Sequence, residues 1–464
     1  MRSQSSWLHL VVSITIAAAV TTSLLATEPA PLRAKIDPLA QPYLDNDIVW
    51  GMAIGVLQDD QPTVFGYGRF SETDDRVPDG QTMFEIGSIT KVLTGLLLAD
   101  AVTQDYVTLQ DPANKWLPEG DGTLTYEDQP IRLVDLSTHV SGLPRLPTNM
   151  RRKNPKDPYA DYTQADLYEF VRTHKLSRAR GAKMEYSNLA VGLLGQLLAN
   201  AEKTTYEQLL KDRLVSPLKL TNTTITLTDD QRRRLAPPHT ADRQPATNWA
   251  IPTLAGAGAV RSNCDDVLSF AAAYLHPPES DLGKAIELSW KVHQQPVAAG
   301  DFAMALGWHL ARDGSTRWHN GQTGGYHSML LVSRSLNAAV VVLTNTATGE
   351  IDKLAEDILR MQAGIPVEPR RFDKAVSVER EIMLKYVGKY QLTPDFIFTV
   401  TESDGRLMVG VTGQPTFEVF ARSDTEWFYK VVDATLTFQM NDAGKCTAVE
   451  LFQNGVRQTA SRVE

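Results

Sequence analysis

Cysteine is almost absent: the 464 residues include two, Cys264 and Cys446. Two distant thiols cannot build a disulfide scaffold, and neither stands near a second metal-type ligand. An exported protein could pair them, but so far apart they read better as small, unpaired core residues. A basic face is missing as well. The formal net charge is −9, and Arg232-Arg233-Arg234 is a short run that reads as a solvated helix end. A nucleic-acid binder needs a positive surface for phosphates, so that class is excluded. No segment beyond the first thirty or so residues is long and apolar enough to cross a membrane. Internal repeats and low-complexity tracts are missing too. The one glycine-rich stretch, Ala255-Gly256-Ala257-Gly258-Ala259-Val260-Arg261-Ser262, lacks the third glycine of a dinucleotide fingerprint. Ser262 and Asp265 after it read as a capping box.

What is present points to an exported protein with two folded parts. The length exceeds one ordinary core, and 42% hydrophobic with 22% charged residues is a globular composition. Arg2 precedes an apolar stretch from Trp7 to Ala26, which Glu28-Pro29-Ala30-Pro31 breaks. That is the pattern of a signal peptide over 1–26 and of a periplasmic or extracellular destination. The cleavage point is blurred, because Leu24-Leu25-Ala26 has no small residue at the third position back. The stretch is also just long enough to stay as an anchor. With no cysteine nearby, lipoprotein processing is excluded.

Trp50 to Leu57 and Pro62 to Gly68 read as two strands around the turn Gln58-Asp59-Asp60-Gln61. From Gly87 to Leu275 the pattern is mostly helical. Strand patterns return at Ala303 to Trp308, Ser328 to Val332 and Ala338 to Leu343, with a helix from Ile351 to Met361. Strands at both ends with helices between them predict an α/β (α+β) sandwich: an antiparallel sheet with helices on both faces plus a helical region. This first domain spans 27–364. A Pro-containing linker covers 365–380. Over 381–464 the period changes to short strands, with hairpin turns at Asp404-Gly405 and Asn454-Gly455. They predict a small antiparallel β-barrel of about 85 residues.

Three motifs carry chemistry. In Ser88-Ile89-Thr90-Lys91 a helix begins, and positions i and i+3 share a face, so Ser88 and Lys91 are neighbours. A lysine that is partly desolvated and beside a helix N-terminus has a depressed pKa, and can take the proton that makes a serine hydroxyl nucleophilic. A serine N-cap followed by a solvated lysine explains the same four residues without chemistry. Tyr186-Ser187-Asn188 stands at a loop-to-helix junction. Its phenol can carry a proton, and its amide can hold a substrate carbonyl and the lysine ammonium together. A loop tyrosine with an asparagine cap is the plain alternative. His319-Asn320-Gly321-Gln322-Thr323-Gly324-Gly325 follows Arg317 and Trp318, which look like a strand end. Gly321 lets a substrate backbone lie flat against an edge strand; a glycine-rich hairpin loop with an exposed histidine is the structural alternative.

In this order, Ser-x-x-Lys, Tyr-x-Asn and His-x-Gly resemble the serine β-lactamase and penicillin-binding superfamily. More narrowly, they resemble class C β-lactamases and their D-alanyl-D-alanine carboxypeptidase, endopeptidase and esterase relatives. Thr138-His139-Val140-Ser141-Gly142-Leu143-Pro144 resembles the family's His-Thr-Ser-Gly-Leu-Pro segment, and Ala255 to Ser262 its glycine-rich turn. The likeness covers roughly residues 34 to 363. The tail, with Tyr386-Val387-Gly388-Lys389-Tyr390 near its start, resembles a lipocalin-like domain.

The resemblance implies a hydrolase acting through an acyl-enzyme on Ser88. Lys91 and Tyr186 would transfer protons. Asn188, His319 and Gly321 would bind substrate, and the backbone N–H groups of Ser88 and Gln322 would form the oxyanion hole. It implies no metal or cofactor, and a small-molecule or peptide substrate: a β-lactam, a D-Ala-D-Ala peptide or an ester. An esterase, a slowly deacylating penicillin-binding protein, or a barrel holding an apolar ligand are the alternatives. His319 departs from the family's lysine. It would be charged only in part near neutrality, which weighs against strong β-lactam hydrolysis. Gln322-Thr323-Gly324 offers a second alignment to the family's x-Thr-Gly.

Overall fold

In the strand Gly51–Gln58, Met52, Ile54 and Val56 face one core while Ala53 and Leu57 face another. Ala338–Thr344 alternates in the same way, with Val340 and Val342 on one side and Ala339, Val341 and Leu343 on the other. Successive side chains of a strand point to opposite faces, so a strand apolar on both must be covered on both. These two strands pair antiparallel at the middle of a six-stranded sheet. Its order is Gln61–Gly68, Gly51–Gln58, Ala338–Thr344, His327–Ser333, Thr316–Gln322, His309–Leu310. Every neighbouring pair is antiparallel. The computed structural model describes residues 30–464 except 119–123, 152, 373, 415, 430, 431, 433, 454, 455 and 464. The expected signal segment, 1–26, and the turn Asn454-Gly455 lie outside the described residues.

Helices Ala30–Asp45 and Ile351–Gln362 cover one face of the sheet. Ile351, Leu354, Ala355, Ile358 and Leu359 are buried at helical spacing, which turns one stripe of the second helix to the sheet. The other face carries Cys264–Leu275, then Thr90–Thr103 and Asn188–Ala201, in one continuous core. The antiparallel sheet with helices on both faces and a helical region is therefore present, as is the C-terminal barrel.

Three local expectations change. The region from 87 to 275 is less helical than its pattern, because long loops separate its helices and two short ribbons interrupt it, Phe84–Glu85 with Arg261–Ser262 and Thr125–Tyr126 with Gln129–Pro130. The Ser262–Asp265 capping box is replaced by Asn263, whose side chain accepts the Asp266 N–H at 2.9 Å, because Ser262 is already in a strand. Ala303 to Trp308 is not a strand. Gly307 has a φ of +75°, and a Cβ there would lie 2.3 Å from the Lys91 carbonyl oxygen; one on Gly95 would lie 2.2 Å from that of Leu306. Two glycines thus let this apolar segment press on the helix that carries Lys91, and backbone packing overrides its strand propensity.

Beyond the helix Arg380–Tyr386, eight strands from Gly388–Thr393 to Val456–Arg462 form a closed barrel. The first and last strands pair, Tyr390 opposite Arg462, and Gln453 pairs with Val456. Tyr390, Phe398, Leu407, Leu436, Phe438 and Val449 are buried together inside it, and Tyr386 stacks on Phe438 at 4.2 Å. Cys446 is buried there, where its sulfur accepts the Tyr390 hydroxyl, and Cys264 is buried in the other core; both are free thiols. Among the described residues no helix is long and apolar enough to cross a membrane.

Candidate active site

A single turn, Gly87–Ile89, leads into the helix Thr90–Thr103. Ser88 lies in that turn and does not cap the helix with its side chain. Lys91, one turn on, is 0% exposed. Its Nζ lies 2.8 Å from Ser88 Oγ and donates to the Ala257 carbonyl at 2.7 Å. Burial drives the Lys91 pKa well below the ordinary lysine range, and the Arg145 cation lowers it further. The lysine is therefore not the solvated residue of the plain alternative.

Tyr186 arrives from the other wall. Ser187 caps the helix Asn188–Ala201 by accepting the Ala190 N–H at 2.9 Å, while its own hydroxyl donates to Pro144 O at 2.7 Å. His139 Nδ1 accepts the Ser187 N–H at 3.2 Å, which leaves the imidazole proton on Nε2. The rings of His139 and Tyr186 are 4.5 Å apart. Held this way, Tyr186 stands beside Ser88, which acts to lower its pKa, and Lys91 Nζ sits 4.8 Å from the centre of its ring. Burial pushes the Tyr186 pKa up to about 12, although Ser88 and Arg145 oppose the rise. The phenol is a proton donor at neutral pH. His139 carried no assigned role in the sequence; its place in the Thr138 to Pro144 motif was the signal available.

Asn188 is the first residue of its helix, and Ser187, not Asn188, is the cap. Asn188 Nδ2 donates to the Tyr159 hydroxyl at 2.9 Å, and its Oδ1 is buried without a hydrogen bond. The bonds of Lys91 go to Ser88 and Ala257, so Asn188 does not hold the ammonium here. Ser88, Asn188, Tyr159, Trp249, Ile251 and Gln322 line one recess.

The His319 motif is strand, not loop. Thr316–Gln322 pairs with His327–Ser333, Gly321 opposite Ser328. A Cβ on Gly321 would lie 2.7 Å from Ser88 N, and one on Gly87 would lie 2.7 Å from Gln322 N. Ser328 Oγ donates to Ile86 O at 2.9 Å and ties the sheet to the same turn. The amides of Ser88 and Gln322 thus stand side by side. Gly321, and not Gly324, abuts Ser88, because a Cβ on Gly324 would meet the Trp249 indole. Beneath Gln322, His327 bonds to its Oε1 and to Asp352 Oδ1, both at 2.8 Å.

His319 is 1% exposed, so the exposed loop histidine is overturned. Its Nδ1 lies 2.6 Å from Asn320 O, and its Nε2 is buried without a partner. Its ring stands 6.2 Å from Tyr186 and 5.1 Å from His309. Burial first, then His309 and Lys91, hold the imidazole well below its ordinary range. It is neutral at pH 7, where its sequence context suggested partial charge. Among the described residues no group of three or more His, Cys, Asp or Glu is arranged to hold a metal.

The family described as Beta-lactamase matches residues 36–364, and a Domain of unknown function (DUF3471) matches 373–461. The chain belongs to the beta-lactamase family. The D-alanyl-D-alanine-carboxypeptidase/endopeptidase AmpH of Escherichia coli K12 is 29% identical over 375 residues, 75% of this chain and 94% of that protein. A beta-lactamase of the same strain is 27% identical over 303 residues, 64% of this chain and 76% of its own. The crystal structure of a beta-lactamase/D-alanine carboxypeptidase from Yersinia pestis, complexed with citrate, superposes with a TM-score of 0.62 at 25% identity. The match covers 72% of this chain and 99% of that one. These relatives support a hydrolase function.

Proposed function

We propose that this chain is an exported serine hydrolase that cleaves amides of the β-lactam or D-alanyl-D-alanine type through an acyl-enzyme on Ser88. The observation that carries the reading is the buried Lys91 Nζ, 2.8 Å from Ser88 Oγ with its proton affinity depressed. Ser88 Oγ attacks the carbonyl carbon as Lys91 takes its proton. The oxyanion forms toward the amides of Ser88 and Gln322. The C–N bond breaks, and the leaving nitrogen takes a proton from Tyr186, which Lys91 restores. Water then attacks the ester, releases a carboxylic acid and returns Ser88 to its hydroxyl form. The apolar stretch after Arg2 supports export.

Intact mass after exposure to a β-lactam or a fluorophosphonate tests this: one adduct is expected, absent in Ser88→Ala. An adduct that persists in that variant overturns it. An esterase of the same fold is the second reading. The neutral His319, which offers no fixed charge to a substrate carboxylate, favours it. Turnover of a chromogenic cephalosporin, a D-Ala-D-Ala peptide and a p-nitrophenyl ester, side by side, separates the two and exposes slow deacylation.

A further inference from the structure

In the wall that carries Tyr186, three arginines are tied to acids: Arg132 and Arg180 to Asp135, and Arg178 to Glu185. Arg145 is not. Its backbone is fixed, because Arg145 O accepts the N–H of Asn188 at 3.0 Å and of Leu189 at 3.2 Å. Its side chain is exposed, and its guanidinium lies 5.1 Å from the centre of the Tyr186 ring. Among the described residues it makes no side-chain hydrogen bond or ion pair. Around Tyr186 stand Lys91, Arg145, His139, His309 and His319, and the charged neighbours that act on this group are bases. The histidines are buried and uncharged, and Lys91 is poised as a base. Among the described residues, the permanent cation lying on the Tyr186 ring is Arg145.

We infer that Arg145 binds the free carboxylate on the leaving-group side of the substrate, the C-terminal α-carboxylate of a peptide or its β-lactam equivalent. The inference rests on the Ser88 hydrolase reading. Tyr186 gives its proton to the leaving nitrogen, so a group lying against its ring is beside the leaving part of the substrate. In an amino acid released from a peptide C-terminus, the carboxylate is one carbon from that nitrogen. A guanidinium on a tethered backbone meets a carboxylate with two parallel N–H donors. It also supplies at this place the charge that a neutral His319 does not. Arg145 is therefore a specificity-determining residue, and it sorts acids from neutral esters and amides.

The test compares kcat/KM for one peptide ending in D-Ala-D-Ala as the free acid and as the C-terminal amide, in wild type, Arg145→Gln and Arg145→Lys. The wild type should prefer the acid. That preference should fall about tenfold or more in Arg145→Gln, chiefly through KM, the scale of a charge-assisted hydrogen bond. Arg145→Lys should restore part of it. If Arg145→Gln slows acid and amide by the same factor, the residue is structural and the inference is overturned. An unchanged ratio overturns it equally. Should the wild type cleave neither peptide while a neutral p-nitrophenyl ester still acylates Ser88, the peptide reading fails but the serine does not. The same ratio is then read from 3-carboxyphenyl phenylacetate, whose leaving phenol carries the carboxylate, against phenyl phenylacetate. A fall in the acid preference of Arg145→Gln supports the inference there, and an unchanged ratio overturns it.

Discussion

Gly321 lies so close to Ser88 that a Cβ on it would sit 2.7 Å from the serine amide nitrogen and 2.1 Å from Ile86 O. The obstacle is backbone, which cannot swing aside. Gly321→Ala should therefore push the strand from the turn and separate the amides of Ser88 and Gln322. Removing one oxyanion donor lowers kcat by about 10²-fold to 10³-fold, and a loss of that order is expected, with the fold retained by circular dichroism. Turnover within a few-fold of wild type would show that the two amides do not act together.

In the proposed mechanism, Lys91 and Tyr186 would divide proton transfer by their environments. Lys91 is held low by burial, and Tyr186 is raised to about 12. The active form is then expected to have a free amine and a neutral phenol. Activity should be lost on acidification through the depressed Lys91 pKa, and should hold into the alkaline range until the phenol begins to ionise. Lys91→Ala and Tyr186→Phe should each lower acylation or deacylation by about 10²-fold or more. A pH–rate profile and single-turnover kinetics of both variants check this; wild-type rates would remove them from the mechanism.

The buried histidines make a separate prediction. His319 is neutral at pH 7, so the affinity for a carboxylate substrate should not change between about pH 6.5 and 8 through this residue. His319→Lys introduces an amine that a bound carboxylate would hold as the ammonium, and should raise activity on carboxylate substrates relative to neutral ones. Stability should respond instead. The pKa of His309 falls to about 4 in the folded chain through burial and Lys91, and an unfolded histidine titrates near ~6.5. The unfolded state then binds more protons between these values, so stability is full above ~6.5 and is lost as pH falls toward 4. The melting temperature should drop over that window, less steeply in His309→Gln. Equal slopes would mean that His309 does not contribute.

Residues 365–380 are expected to be the boundary between two independently folded parts. Limited proteolysis between Gly364 and Lys374 should release two pieces, each with its own cooperative melt. If the cut abolishes both transitions, the parts depend on one another and the boundary is misplaced.

The central strands were legible because they are apolar and end at clear turns, and Ser88 and Lys91 because helix spacing brings i and i+3 together. What stayed hidden has physical causes. Ala303 to Trp308 has strand composition, yet its path is set by Gly95 and Gly307, 212 positions apart in sequence, and no local pattern encodes that packing. His319 looked exposed because glycines follow it; Gly321 marks close approach of the Ser88 turn, and Gly324 and Gly325 that of Trp249 and Pro238, not an open loop. Arg145 has no motif of its own, and only the fold shows it lying on Tyr186 without an acid partner.

The sheet has a consequence for how the chain reaches its native state. Thr344 Oγ1 donates to the Gly51 carbonyl at 2.8 Å across 293 positions of sequence, and the middle of the sheet is made of strands from both ends of this span. The pairing that defines the centre cannot be completed until Thr344 has been synthesised, and the entropy of closing so long a loop precedes any reward. Folding of the hydrolase part is thus a late, nonlocal event.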